Sequence, residues 1–99
     1  MFKELFTEAS DYVIYHKTYT SAIQAAELYA NKKGFELDKE EMADKIGMGP
    51  GKPKHGRTVK HTLDLYKNGE LIKGKKKLQI QVYDRGQSGN NYELNAYIA

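Results

Sequence analysis

The residues best suited to chemistry are basic ones, and many lie in or near a loop rich in glycine and proline between Gly47 and Arg57. Ammonium and guanidinium groups contact phosphates, and a concentration of positive charge attracts a polyanion from a distance. We therefore predict that the basic residues bind a nucleic-acid backbone without sequence preference, with a merely solvated basic surface as the alternative. The predicted contacts are Lys52, Lys54, Arg57, Lys60, Lys75, Lys76 and Lys77.

Tyrosines provide a second candidate site. Tyr66, Tyr83 and Tyr97 fall at positions that face solvent in the predicted strands, in a row that also holds Lys60, Thr62 and several amides. This composition is typical of a platform on which bases of a single strand stack, and also of a protein interface. The simpler alternative is the ordinary solvent side of a sheet, where Tyr, Thr and Gln are common.

Patterns for catalysis or cofactor binding are missing from the sequence. His16, His55 and His61 have neither a metal-ligand spacing nor a His–carboxylate spacing, and no serine stands in a nucleophile-elbow pattern. The absence of cysteine excludes thiol catalysis and thiolate zinc sites. Gly47 and Gly51 enclose three residues, whereas the P-loop requires four. We predict a protein that is not an enzyme and has no cofactor.

Two kinds of element must position these residues. Apolar residues at helical spacing predict a helix over the first dozen residues, a longer helix over 21–33 with its cap at Thr20 or Ser21, and a short one after Asp38. From Arg57 onward apolar and polar residues alternate, which predicts three antiparallel strands, and Asn68-Gly69 predicts a tight turn.

The predicted fold is therefore α+β, with two or three N-terminal helices packed on one face of a three- to four-stranded antiparallel β-meander. The alternative is a helix with a small, strongly bent open β-barrel, since Gly74 would let the sheet curl. The alternation predicts a core in which the strands pack against Ala22, Ala26 and Tyr29. Its predicted strand members are Leu63, Leu65, Leu78, Ile80, Val82, Leu94 and Ile98.

Length and charge bound the remaining expectations. The chain has 99 residues, which predicts a single domain over residues 1–99. Its net charge is +3, with six Lys/Arg against nine Asp/Glu up to Gly49 and ten against four from Pro50 onward. No apolar run reaches the length of a membrane helix. The acidic residues near the N-terminus do not fit the pattern of a secretory signal. We expect a protein without a membrane role that is not secreted and could form homo-oligomers.

The second half of the chain resembles a group of viral proteins. Four segments are similar to parts of small uncharacterised proteins of tailed bacteriophages, including marine and myovirus-like ones: Leu78–Tyr83, Tyr92–Ile98, Gly49–Pro53 and Lys67–Gly69. The likeness covers residues 20–98. Separately, Met1–Ala9 is weakly similar to the capsid-targeting segment of phage internal head proteins. The resemblance implies a viral origin, with a place in the host cytoplasm or the virion, and a virion protein as the partner if it is not nucleic acid.

Overall fold

A computed structural model describes residues 12–47, 53–74 and 76–99. The helical elements are α1, Tyr19–Lys32, and α2, Lys39–Met42, which continues as a π-helical turn over Ala43–Gly47. The strands are β1, Tyr15–His16; β2, Thr58–Asp64; β3, Tyr66–Lys67; β4, Glu70–Leu71; β5, Lys77–Asp84; and β6, Tyr92–Ile98. The structure is therefore a small α+β arrangement dominated by strands.

Four of the strands form an antiparallel sheet in the order β1-β6-β5-β2. The register places Ile80 on β5 between His61 on β2 and Ala96 on β6. β3 and β4 form a separate two-stranded hairpin, and its turn residues Asn68 and Gly69 have φ of 55° and 79°. Positive φ at both central residues is the geometry that Asn-Gly favours, so this turn is as predicted.

α1 packs on one face of the sheet through small residues. Ala22, Ala26 and Ala30 are fully buried, and such short side chains let a helix approach a sheet closely. The helix begins after Thr18, whose Oγ1 accepts the backbone N–H of Ser21 at 3.0 Å, so the cap lies before both predicted cap residues, Thr20 and Ser21. The predicted core is confirmed with one exception, since Ile98 is only half-buried.

The predicted arrangement of helices and meander is wrong. Within residues 12–47, 53–74 and 76–99, α1 is the one helix that buries residues against the sheet, because α2 has four residues and none of them is buried. The sheet also begins before the helix, with β1 pairing to β6, so its topology is not a plain meander. Val13, Ile14 and Tyr15 favour extended backbone, but their pairing partner lies far along the chain and leaves no local signal.

The barrel alternative and the predicted N-terminal helix have different outcomes. The barrel alternative is wrong, since the four-stranded sheet is open and ends at β1 on one side and β2 on the other. The predicted first helix falls almost wholly outside the described residues, which begin at Tyr12. Among the residues that the structure describes, no helix is long and apolar enough to cross a membrane.

Candidate functional site: the open face of the sheet

The sheet has two unlike faces, because side chains alternate between them along each strand. One face is buried under α1. On the other face, which we call the open face, every side chain is exposed or half-buried. The open face is formed by Tyr15 on β1, by Glu93, Asn95 and Tyr97 on β6, by Lys77, Gln79, Gln81 and Tyr83 on β5, and by Thr58, Lys60, Thr62 and Asp64 on β2.

Three tyrosine rings stand out from the open face. Tyr15 is 46% exposed, and Tyr83 and Tyr97 are each 39% exposed. Tyr83 and Tyr15 lie in one row, on either side of Glu93, so their Cα atoms are roughly 10 Å apart at the usual strand spacing. Tyr97 lies four positions further along β6 than Glu93, which places it roughly 13 Å along the sheet from that row.

A cation is held against the first of these rings. The guanidinium carbon of Arg85 lies 4.7 Å from the centroid of the Tyr15 ring, within the range of a cation–π contact. Arg85 also donates from Nη1 to the carbonyl oxygen of Asn90 at 3.2 Å. Arg85 is thus anchored at the corner of the open face next to Tyr15 and Tyr83, while exposed Lys60 lies on the edge strand β2, opposite Gln81.

Polar contacts between strands order the rest of the open face. Thr62 Oγ1 donates to Gln79 Oε1 at 2.8 Å, and Gln81 Nε2 donates to the Tyr97 hydroxyl at 3.5 Å. Lys77 pairs with Asp64, and this hydrogen bond raises the pKa of Lys77 above its ordinary value. The charges of Lys77 and Asp64 offset each other, so the pair adds no net charge to the open face.

The structure does not bring the predicted basic residues that it describes into one patch. Lys60 and Lys77 lie on the open face, whereas Arg57 and Lys76 directly precede β2 and β5. Arg57 is next to Thr58, the β2 residue opposite Tyr83, and Lys77 lies on β5 opposite Asp64, at the other end of β2 and roughly 20 Å away at the usual rise per residue. Exposed Lys54 lies before β2, and Lys52 and Lys75 fall outside the described residues.

Tyr66 is separated from the other two predicted tyrosines. It lies on the β3–β4 hairpin, and its backbone exchanges hydrogen bonds of 2.7 and 2.8 Å with Glu36. Partial desolvation and the nearby carboxylates of Asp38, Asp64 and Glu41 raise the pKa of Tyr66. Tyr66 thus lines an acidic cleft, and the tyrosine that joins Tyr83 and Tyr97 on the open face is Tyr15, which only the β1–β6 pairing could reveal.

The acidic cleft does not have the arrangement of a metal site. Its lining consists of Asp38, Glu40, Glu41, Asp44, Lys45, Asp64 and Tyr66. Across the described parts of the chain, no group of three or more His, Cys, Asp or Glu side chains is placed to hold a metal ion. Lys45 and Glu41 form an ion pair at 3.0 Å, so part of the negative charge is compensated.

The two buried histidines join α1 to the sheet. His16 Nε2 lies 2.7 Å from the carbonyl oxygen of Val13, and its Nδ1 lies 2.7 Å from Ser21 Oγ, so both ring nitrogens have partners. The Tyr19 hydroxyl lies 2.7 Å from His61 Nε2. Burial lowers the pKa of His61, as does the charge of Lys45 to a smaller extent, and burial raises the pKa of Tyr19. Both shifts favour the neutral forms, in which the Tyr19 hydroxyl can donate a hydrogen bond to Nε2 of His61.

Comparisons with known proteins add nothing to this geometry, since no family model, no curated protein and no solved structure matches the chain. The arguments for function therefore come from the site itself. The open face offers aromatic rings, amides and a few cations on a rigid sheet, which suits it to binding.

Proposed function

We propose that the protein is a non-enzymatic binding module that holds single-stranded nucleic acid on its open face without sequence preference. The observation that carries this proposal is the exposure of three tyrosine rings on one sheet face, with Arg85 and Lys60 beside them. Every base has a π-face, so stacking on tyrosine tolerates any sequence. The cations supply contacts to the phosphate backbone.

The geometry favours single strands over duplexes. Tyr83 and Tyr97 lie far enough apart for an extended strand to place a few nucleotides between them, above Gln81 and Asn95, with Lys60 on the neighbouring strand β2. In a duplex the base faces are already stacked on each other, so the rings of a sheet would reach only the backbone. We therefore expect unpaired DNA or RNA to bind more tightly than its duplex.

The charge distribution makes this proposal quantitative. Lys60 and Arg85 are the cations of the open face that have no carboxylate partner among the described residues. Two phosphate contacts to a single strand predict a slope of about −1.4 in a plot of log affinity against log salt. All seven basic residues predicted from the sequence, acting together, would give a slope of about −5. The salt slope thus separates the two sites.

The experiment is a fluorescence anisotropy titration with a labelled oligothymidylate of about ten nucleotides, its RNA counterpart and a matched duplex. Tyr83→Ala and Tyr97→Ala should each weaken single-strand binding by about tenfold, while Tyr83→Phe retains the ring and most of the affinity. Tyr66→Ala is the matched control, because Tyr66 lies off the open face. Absence of binding to any probe at low salt would contradict the proposal.

One observation favours a second function, that of a protein-interaction domain. Glu93 lies between Tyr15 and Tyr83, where its carboxylate repels a phosphate backbone but suits a protein partner with a basic side chain. Tyrosines are also enriched in protein interfaces. Glu93→Gln decides between the two, because it should strengthen nucleic-acid binding under the first proposal and weaken partner binding under the second.

The viral origin remains a proposal that rests on the resemblance of residues 20–98 to phage proteins. Under the second function this origin extends the proposed partner to a virion protein, and the proposed location to the host cytoplasm or the virion. Detection of the chain in purified virions would support that extension, and its confinement to the soluble fraction of infected cells would favour the nucleic-acid role.

A further inference from the structure

The outer edge of β2 carries backbone groups that do not take part in the sheet. β2 is the end strand, and its hydrogen-bonded partner β5 lies on one side only. In an antiparallel pair, alternate residues direct both N–H and C=O away from the partner. On β2 these outward groups belong to Thr58, Lys60, Thr62 and Asp64.

The second half of this edge is closed by two side chains. Lys45 Nζ donates to the carbonyl oxygen of Thr62 at 2.8 Å, and Glu41 Oε1 accepts the backbone N–H of Asp64 at 3.1 Å. Lys45 and Glu41 are themselves paired at 3.0 Å. Together they provide one donor and one acceptor in the places where a neighbouring strand would provide them.

The first half of the edge is open. The N–H and C=O groups of Thr58 and Lys60 and the N–H of Thr62 have no hydrogen-bond partner among the described residues, and all three residues are exposed. The opposite edge differs, because the N–H of Leu94 donates to the Ile14 carbonyl at 2.7 Å and that of Ala96 donates to the Tyr12 hydroxyl at 3.1 Å.

We propose that the open half of the β2 edge, Thr58–Thr62, binds an extended acidic peptide segment as an additional strand. Main-chain hydrogen bonds to an exposed sheet edge are an established mode of peptide recognition. The charge around this half selects the occupant, because Lys54, Arg57 and Lys60 are exposed there and the only carboxylate of β2, Asp64, lies in the closed half.

A second copy of the chain fits this edge less well. Antiparallel pairing of two β2 edges about their open halves would place the two Lys60 side chains opposite each other, and like charges directly opposite destabilise a strand pair. An acidic side chain placed opposite Lys60 is instead attracted to it. The peptide site is formed by backbone groups at the edge and the proposed nucleic-acid site by rings and cations above the sheet. Lys60 is the residue that both sites use, so the backbone contacts distinguish the two proposals.

The test uses a synthetic peptide of about eight residues in which Glu and Val alternate, titrated into the isotopically labelled full chain. At saturation, amide hydrogen exchange at Thr58, Lys60 and Thr62 should slow by about tenfold or more, while the amide of Leu94 is unchanged. The control peptide has the same sequence with N-methyl groups on alternate residues. It keeps the charge but loses the N–H groups that a strand partner must donate.

Variants of the chain complete the experiment. Thr58→Pro removes one outward N–H at the first residue of an edge strand, where proline is tolerated, and should weaken peptide binding. Lys60→Glu should weaken it as well, and Lys32→Glu at the end of α1 is the charge-matched control that should not. Tyr83→Ala should leave peptide binding unchanged even though it weakens nucleic-acid binding.

Three results would overturn the proposal. Equal binding of the N-methylated peptide would show a contact made by charge alone. Binding without slower exchange at Thr58, Lys60 and Thr62 would place the peptide elsewhere. A peptide-independent dimer in sedimentation velocity, with protection of the same three amides, would assign the edge to a second copy of the chain.

Discussion

The two faces of the sheet use the same strands for opposite purposes. Along β5 the buried face presents Leu78, Ile80 and Val82, all within 1% of complete burial, and the open face presents Gln79, Gln81 and Tyr83 in the intervening positions. Neighbouring residues on β5 thus alternate between packing in the core and facing solvent. The side chains of the buried face therefore determine stability, while those of the open face are available for contacts with a partner.

The sharpest test of this difference compares neighbours on β5. Ile80→Ala should lower the free energy of unfolding by about 2–5 kcal/mol, because Ile80 is 1% exposed and its removal leaves a cavity under α1. Gln79→Ala, one residue earlier on the open face, should change it by less than about 0.5 kcal/mol. Urea denaturation of both variants measures the two effects. Comparable losses would mean that the faces are not energetically distinct.

The open face should show the converse behaviour. Tyr83→Ala should weaken single-strand binding by about 1–3 kcal/mol through lost stacking, yet destabilise the fold less than Ile80→Ala does, since Tyr83 is 39% exposed and Ile80 is 1% exposed. Anisotropy and denaturation on the same preparation check both statements. A Tyr83→Ala variant that loses as much stability as Ile80→Ala would indicate a structural ring instead of a binding one.

A smaller effect is expected where α1 meets the buried face. Thr18→Ala removes the side-chain oxygen that accepts the Ser21 N–H, and loss of an N-cap destabilises a helix by about 1 kcal/mol. Thr18→Ser keeps the acceptor and should retain most of the stability. Because α1 covers only one face, nucleic-acid affinity should not change in either variant. Thermal unfolding of the pair provides the measurement.

The smallest effect concerns pH and His61, a polar residue on the buried face. Its pKa is lowered in the folded state, chiefly by burial, so the unfolded chain binds the proton more readily. The stability that neutral His61 contributes is complete above the ordinary histidine pKa of 6.5, which applies to the unfolded chain, and is lost as pH falls below that value. Urea unfolding from pH 7.5 down to about 5 should show this loss, and His61→Leu should show less of it. A pH dependence identical in both proteins would contradict the assignment.

Much of the sheet could be predicted from local pattern. The alternation around Leu63, Ile80 and Leu94 predicted three strands and the correct inward side chains, and Asn68-Gly69 predicted the hairpin turn. The same alternation placed Tyr83 and Tyr97 outward. The short helix predicted after Asp38 is also present, as α2 and the π-helical turn that ends at Gly47, but none of the residues of α2 is buried.

The composition of the candidate site could not be predicted in this way. Tyr15 reaches the open face only because β1 pairs with β6, through Tyr15↔Glu93, and Arg85 belongs to the site only through its contact with that ring. Tyr66 leaves the site because its backbone pairs with Glu36. Each of these placements depends on segments that are distant in sequence, and no periodicity along the chain records them.

By itself, the sequence determined which side chains each strand buries, since alternation is a property of extended backbone and is decided residue by residue. The tertiary structure alone decided which strands are neighbours, and with that which charges and rings share a surface. The seven basic residues illustrate the limit, because their proximity in sequence predicted one patch, whereas the antiparallel register separates Arg57 from Lys77 by the length of β2. Hydrogen bonding between remote segments sets that register, so the surface of this protein follows from its pairing.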